Sequence, residues 1–400
     1  MHDRPALILT ALLILLFGLI SKKAEHSIVS APMVFVAIGV LVSPLGLDLF
    51  QAQFHGEAVK GIAEITLLMI LFIDASFIKF SHLKQRLAGV PARLLLVGLP
   101  LTMILGTVVG YFIFPAVNIW YLVILALILS PTDAALGQAV VKSDAVPEKI
   151  RDSISIESGL NDGIALPLIL VCIAILGSGD FTLSTDDKWL RYLALQLTLG
   201  PLFGAVVGIV GGRLVEWASA KDWMEPTFQR LASFSLALLA YACAELFHGN
   251  GFIAAFVAGL TLGVKSPMVR LRLQEFGEAE GQLLSLFIFL ILGLVAVPFA
   301  YQFWTREIVI YALLSLTLIR MLPVMLCLLG TGLPFYSKIF IAWFGPRGIA
   351  SFLYLLIMVS DLGIKGYEQV LATIILTVLM SVFAHGISAV AMSDKFKKTL

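Results

Sequence analysis

The stretch Ile156-Glu157-Ser158-Gly159-Leu160-Asn161-Asp162-Gly163-Ile164-Ala165-Leu166-Pro167-Leu168-Ile169 decides how this chain is read. It sits inside an apolar run, 153–177, long enough to cross a hydrocarbon core about 30 Å thick. Two carboxylates and an asparagine inside such a run are costly, so they are functional candidates by default. At about 1.5 Å of rise per residue, Asp162 lies roughly 15 Å into the span, near its middle. Ser158 and Asp162 are one helical turn apart and share a face, and Glu157 and Asn161 share the adjoining one. The first face offers a carboxylate and a hydroxyl, hard oxygens suited to a small alkali cation. The second offers a carboxylate that an arginine can meet. A purely structural polar stripe between packed helices is the competing reading.

Outward from this run, the chain repeats the pattern. Of its 400 residues 60% are hydrophobic and 13% charged, with mean hydropathy +0.99, whereas a soluble domain carries about 25% charged residues. Apolar runs recur at 5–20, 28–45, 61–80, 90–115, 119–141, 153–177, 189–215, 228–247, 251–264, 281–300, 305–329, 335–359 and 367–393. The expected architecture is therefore an all-α polytopic membrane protein of about thirteen helices. The first run has Lys22 and Lys23 after it rather than before it, and reads as a retained helix instead of a signal peptide. Net charge is +1, which gives no basis for nucleic-acid binding. Cys172, Cys243 and Cys327 lie in apolar runs without paired spacing, and neither disulfides nor a zinc site are expected.

Short loops orient the helices. With the N-terminus outside, the inner loops hold Lys22, Lys23, Lys79, Lys84, Arg86, Arg93, Lys142, Lys149, Arg151, Arg213, Lys221, Arg230, Lys265, Arg270, Arg272, Lys338, Lys395, Lys397 and Lys398. The outer side keeps Arg4, Lys60, Lys188, Arg191, Arg306 and Lys365. This asymmetry places the C-terminus in the cytoplasm of a cell whose inner (plasma) membrane holds the protein.

Other polar residues fall inside spans: Asp74, Asp133, Glu245, Arg320 and Arg347. Asp133 and Arg347 reach mid-depth, whereas Glu245 and Arg320 lie nearer helix ends, where snorkelling or a structural pair is expected. The runs carrying Asp133 and Arg347 are both interrupted, at Ser130-Pro131-Thr132-Asp133 and Gly345-Pro346-Arg347-Gly348. Proline removes a helical donor, and unwound backbone at that depth is tolerated only within protein or along an aqueous cavity. Two breaks at matching depth predict a pair of discontinuous crossing helices. If helices one to six repeat as eight to thirteen, the breaks correspond in an inverted-topology repeat, whose broken helices mark a binding site. Facing half-helix ends need charges of opposite sign. Asp133 and Arg347 are placed to supply them, and Arg347 has Glu157 as an alternative or additional partner. Gly204, Gly208 and Gly212 permit close helix approach, within one protomer or between two.

Together these three motifs resemble the signatures of the monovalent cation:proton antiporters, and the Asn161-Asp162 pair resembles their electroneutral sodium/proton exchanger branch, the NhaP and NHE type. The resemblance covers nearly the whole chain. It implies that Asp162 binds cation and proton alternately, with Ser158 and Thr132 as further oxygens to a Na⁺ ion, and no cofactor. It implies that Asn161 and Glu157 shape the site, Glu157 bridging towards Arg347. Leu71-Phe72-Ile73-Asp74-Ala75 matches a family acid segment in part, which makes Asp74 a candidate cation or proton ligand; Ala75 and Ser76 stand where glycines are usual.

The implied organisation is a homodimer whose core helices move against a scaffold. Scaffold helices would lie in 1–88 and 219–302, core helices in 89–180 and 303–400, and a linker helix in 181–218. The implied activity is Na⁺ (or Li⁺) exchange for H⁺, electroneutral at one to one, with K⁺/H⁺ exchange as the alternative. A passive channel would need rings of acids or carbonyls along a continuous pore. An intramembrane hydrolase would need a nucleophile with a base in reach, and Ser158 has no histidine motif beside it.

Overall fold

The computed structural model describes residues 3–25, 27, 29–50, 57–78, 89–141, 143–177 and 187–397. Lys79, Lys84, Arg86, Lys142 and Lys398 of the charge argument lie outside the described residues. Among the described residues there is no strand, and the chain runs as helices joined by short turns. These are α1 (Asp3–Glu25), α2 (Ala31–Val42), α3 (Glu57–Phe77), α4 (Val90–Ile113), α5 (Ile119–Ile128), α6 (Ala134–Val141), α7 (Glu148–Gly177) and α8 (187–220). They continue as α9 (Pro226–Leu246), α10 (Gly251–Leu260), α11 (Pro267–Tyr301), α12 (Arg306–Cys327), α13 (Phe335–Trp343), α14 (Ile349–Leu362) and α15 (Glu368–Lys397). Among the described residues six helices are long and apolar enough to cross a membrane alone, and α2, α5, α10 and α14 are shorter apolar helices.

Local sequence explains where helices start and stop. Pro32, Pro91, Pro226 and Pro267 stand in the first turns of their helices, where a missing N–H leaves no bond unmade. Asn118 and Asn250 accept from the N–H of Trp120 and Ile253 and cap α5 and α10. At the other end of α14, Gly363 has φ of +78°, the left-handed stop that glycine adopts without strain.

Helix α10 packs against α3, α8 and α9. Three glycines of α8 make that contact possible. A Cβ on Gly204 or Gly208 would strike the carbonyl of Ala254 or Ala258, and one on Gly212 would lie 2.6 Å from the N of Gly263. The glycine stripe therefore serves packing within one protomer. Glu245 also has a structural role here, its Oε1 accepting from the N–H of Gly251 at 2.8 Å at the start of α10. Helix α7 is enclosed by α3, α5, α6 and α14, and α15 lies along α12 and α14. This packing leaves the polar residues of α7 facing protein rather than lipid.

Candidate functional site

Two interrupted helices meet at the site. Helix α5 ends at Ile128 and α6 begins at Ala134; α13 ends at Trp343 and α14 begins at Ile349. The intervening segments carry the Ser-Pro-Thr-Asp and Gly-Pro-Arg-Gly motifs, and they touch. The N–H of Asp133 donates to the carbonyl of Pro346 at 2.8 Å. One carboxylate oxygen of Asp133 accepts from the N–H of Ile349, the first residue of α14, and the other from the N–H of Leu136 in α6 at 3.4 Å. A single carboxylate thus faces the N-terminal ends of two half-helices, where backbone N–H groups lack internal partners.

Arg347 completes the opposite arrangement. Its Nη1 donates to the carbonyls of Ser130 and Pro131, just past the C-terminal end of α5. Its own N–H donates to Ser381 Oγ at 2.7 Å. The side chain has no exposed surface. Gly348 is dictated by this contact: a Cβ there would overlap the Asp133 carboxylate and lie 2.6 Å from Leu136 Cδ1. Ser381 in turn lies 3.1 Å from His385 Nδ1, and His385 Nε2 lies 2.9 Å from the carbonyl of Trp343, the last residue of α13. A polar chain from α15 therefore braces the second break.

On α7, Ser158 Oγ lies 2.9 Å from Thr132 Oγ1 in the first break. Asn161 Nδ2 donates to Thr132 Oγ1 at 2.8 Å and to the Thr132 carbonyl at 3.2 Å. One turn beyond Ser158, Asp162 is 5% exposed, and its Oδ1 has no hydrogen-bond partner; neither has Asn161 Oδ1. Buried polar oxygens are nearly always partnered, which makes the Asp162 carboxyl the candidate binding group of the site. Asp74, on α3, is partly exposed and lies within electrostatic reach of both Asp162 and Asp133.

One expected pairing is corrected. Glu157 does not bridge to Arg347; its two oxygens accept from Arg320 Nη1 at 2.6 Å and Nη2 at 2.9 Å. Both side chains are 1% exposed, so Arg320 does not snorkel. The reason is packing. Arg320 sits mid-length in α12 behind the second break, where Gly345 has no side chain and the guanidinium fills the space. Arg347 is meanwhile occupied by the α5 carbonyls. Tyr354 and Ser381 carry no signal in the sequence beyond polarity inside an apolar run, and His385, the histidine lying well inside a span, has no motif there to mark its bracing role.

On the side of the α7 C-terminus, a cavity of about 400 Å³ opens between α3, α8 and α9 and the ends of α7 and α14. Its mouth carries Glu64, Glu245 and Asp361 beside Lys60, with Phe252 in its wall.

The family model described as "Sodium/hydrogen exchanger, transmembrane" matches residues 8–395. A K(+)/H(+) antiporter NhaP of Alkalimonas amylolytica is 27% identical over 86% of this chain and 59% of its own length. A K(+)/H(+) antiporter NhaP2 of Shewanella sp. (strain MR-4) is 26% identical over 94% of this chain and 64% of its own. The chain thus spans about three fifths of the length of these curated relatives. The sodium proton antiporter MjNhaP1 of Methanocaldococcus jannaschii, solved at pH 8, superposes with a TM-score of 0.79 at 19% identity, over all of this chain and 99% of that one. That likeness is one of fold. With the family model spanning nearly the entire sequence, this multi-pass membrane protein belongs to the sodium/hydrogen exchanger family.

Proposed function

We propose that the chain exchanges a monovalent cation, Na⁺ or Li⁺ before K⁺, for a proton across the plasma membrane, both competing for Asp162. The observation that carries the reading is the buried, unpartnered Oδ1 of Asp162, one helical turn from Ser158, whose hydroxyl meets that of Thr132 in the first break. In this reading Thr132, Ser158 and the Asp162 carboxylate ligate the cation, and Asp74, within electrostatic reach of Asp162, takes part in binding the cation or the proton. Asn161 holds Thr132 in place.

The charges around the site support a one-to-one stoichiometry. Glu157 is matched by Arg320, Asp133 by two half-helix N-termini, and Arg347 by the carbonyls closing α5. Among the described residues no cationic side chain or helix end matches Asp162, and the carboxyl of Asp74 lies within its electrostatic reach. An unpaired buried carboxylate is strongly disfavoured, so the site is occupied by either a proton or a cation, and both loaded forms carry the same charge. The proposed working cycle moves core helices in 89–180 and 303–400 against a scaffold, in a homodimer with the N-terminus outside and the C-terminus cytoplasmic. Thirteen crossings in two inverted repeats belong to the same proposal.

The relatives named as K(+)/H(+) antiporters favour K⁺ as a second reading for the cargo. Everted vesicles test both. Adding Na⁺, Li⁺ or K⁺ to acidified vesicles is expected to dissipate the proton gradient, and Asp162→Asn is expected to abolish the response. Retained exchange in Asp162→Asn would overturn the assignment, and the order of responses identifies the cation.

A further inference from the structure

The exchange reading accounts for the oxygens of the first break and of α7, but leaves two buried, unpartnered hydroxyls on α14 unused, those of Ser351 and Tyr354, of which Tyr354 is the neighbour of Asp162. Tyr354 has no exposed surface and ranks among the largest fully buried side chains. Its hydroxyl faces the Asp162 carboxyl, near enough that each senses the other as a hydrogen-bonding neighbour, and Asp74 lies within electrostatic reach. Yet neither the Tyr354 hydroxyl nor Asp162 Oδ1 closes a hydrogen bond of good geometry. Two orphaned oxygens facing each other in the interior demand an explanation, since leaving a buried polar group unmade is strongly unfavourable.

Position adds a second argument. Tyr354 is in the second turn of α14, the half-helix that begins at the Asp133 cap. Thr132, Ser158 and Asp162 approach the site from the first break and from α7, and Tyr354 approaches from the second break. The phenol therefore adds a hard oxygen from an element separate from those of the first three.

We infer that Tyr354 is a direct member of the cation site, its hydroxyl oxygen ligating the bound cation from α14 while its O–H donates to the Asp162 carboxylate. The inference rests on the exchange reading above and extends it to a residue outside the three motifs. A phenol suits a carboxyl that alternates between states, because it is both donor and acceptor. With a proton loaded, Asp162 donates to the Tyr354 oxygen; with a cation loaded, Tyr354 donates to Asp162. The same hydroxyl thereby fixes the carboxyl rotamer in both halves of the cycle. It also ties α14 to α7, so both broken helices sense the occupant.

Tyr354→Phe removes the oxygen and keeps the ring, which separates ligation from packing. In everted vesicles the apparent KM for the transported cation is expected to rise roughly tenfold, the loss of one hydrogen bond to a charged group, with the maximal rate held within about twofold. In the purified protein, the cation-dependent rise in melting temperature is expected to shrink, beyond any change in the cation-free melting temperature that loss of the bond to protonated Asp162 brings. An unchanged KM and unchanged cation protection would overturn the proposal. So would a loss of maximal rate with KM unaltered, or a cation-free melting temperature lowered with no change in cation protection, since both mark a packing role. Tyr354→Leu, which removes ring and hydroxyl, is the control: its added defect relative to Phe measures packing. If wild type itself shows neither cation-driven proton movement nor cation protection, the exchange reading fails. Wild-type response with an indifferent Tyr354→Phe sinks only this inference.

Discussion

At the scale of single residues, the site is a set of charges sorted by what each can be matched with. The Glu157–Arg320 pair is the clearest instance, bidentate and almost wholly enclosed. Removing one member of such a pair strands the other in the interior, whereas replacing both with apolar residues is often neutral. Arg320→Met is therefore expected to destabilise the protein by about 3–5 kcal/mol, and Glu157→Met with Arg320→Met to recover most of that loss. Thermal unfolding of the four variants in detergent measures the coupling; additive effects would mean that the two charges are independent. The pairing was not legible from sequence. Arg320 and Arg347 both lie in apolar runs, and nothing in spacing distinguishes which faces Glu157. The distinction comes from Gly345, which opens room for one guanidinium, and from the α5 carbonyls, which occupy the other.

At the scale of elements, the two breaks form one unit. Asp133 touches both α6 and α14, and Arg347 closes α5, so no half-helix is stabilised alone. Gly348 is the tightest point of the contact. Gly348→Ala forces a methyl against the Asp133 carboxylate and is expected to lower stability by about 1–3 kcal/mol, as overpacking does, and to depress exchange. A wild-type melting temperature in Gly348→Ala would show that the segments stand further apart. The α8–α10 contact behaves differently, because it brings glycines against backbone carbonyls rather than charge against charge. Gly208→Val is expected to reduce thermal stability by a similar amount and to leave the oligomeric state by light scattering unchanged. Dissociation of an oligomer without loss of thermal stability would place the stripe between protomers instead. The proline and glycine punctuation announced both breaks, but the order of contacts across them was invisible, since it depends on how α13 and α14 cross α5 and α6.

At the scale of the whole molecule, the charge balance makes a prediction about voltage. Glu157, Asp133 and Arg347 are matched locally, and the proposed occupants of Asp162 carry one positive charge each. Exchange is therefore expected to be indifferent to an imposed membrane potential in reconstituted vesicles, whereas moving one net charge would cost about 2.3 kcal/mol per 100 mV. Rates that follow the potential would refute one-to-one exchange and favour a channel-like or unequal mechanism.

Hydropathy, charge asymmetry and the spacing of breakers are properties of the chain itself. They determined a polytopic helical protein, two interrupted apolar runs and an acid at Asp162 within a long apolar helix, because lipid penalises polarity so heavily that each exception is conspicuous. The tertiary structure decided the partnerships: Glu157 with Arg320, Asp133 with two helix starts, Arg347 with the end of α5, and Tyr354 beside Asp162. Those depend on helix rotation and crossing, which are set by packing between segments far apart in sequence. A hydropathy pattern records how deep a side chain lies. It carries no record of what lies opposite.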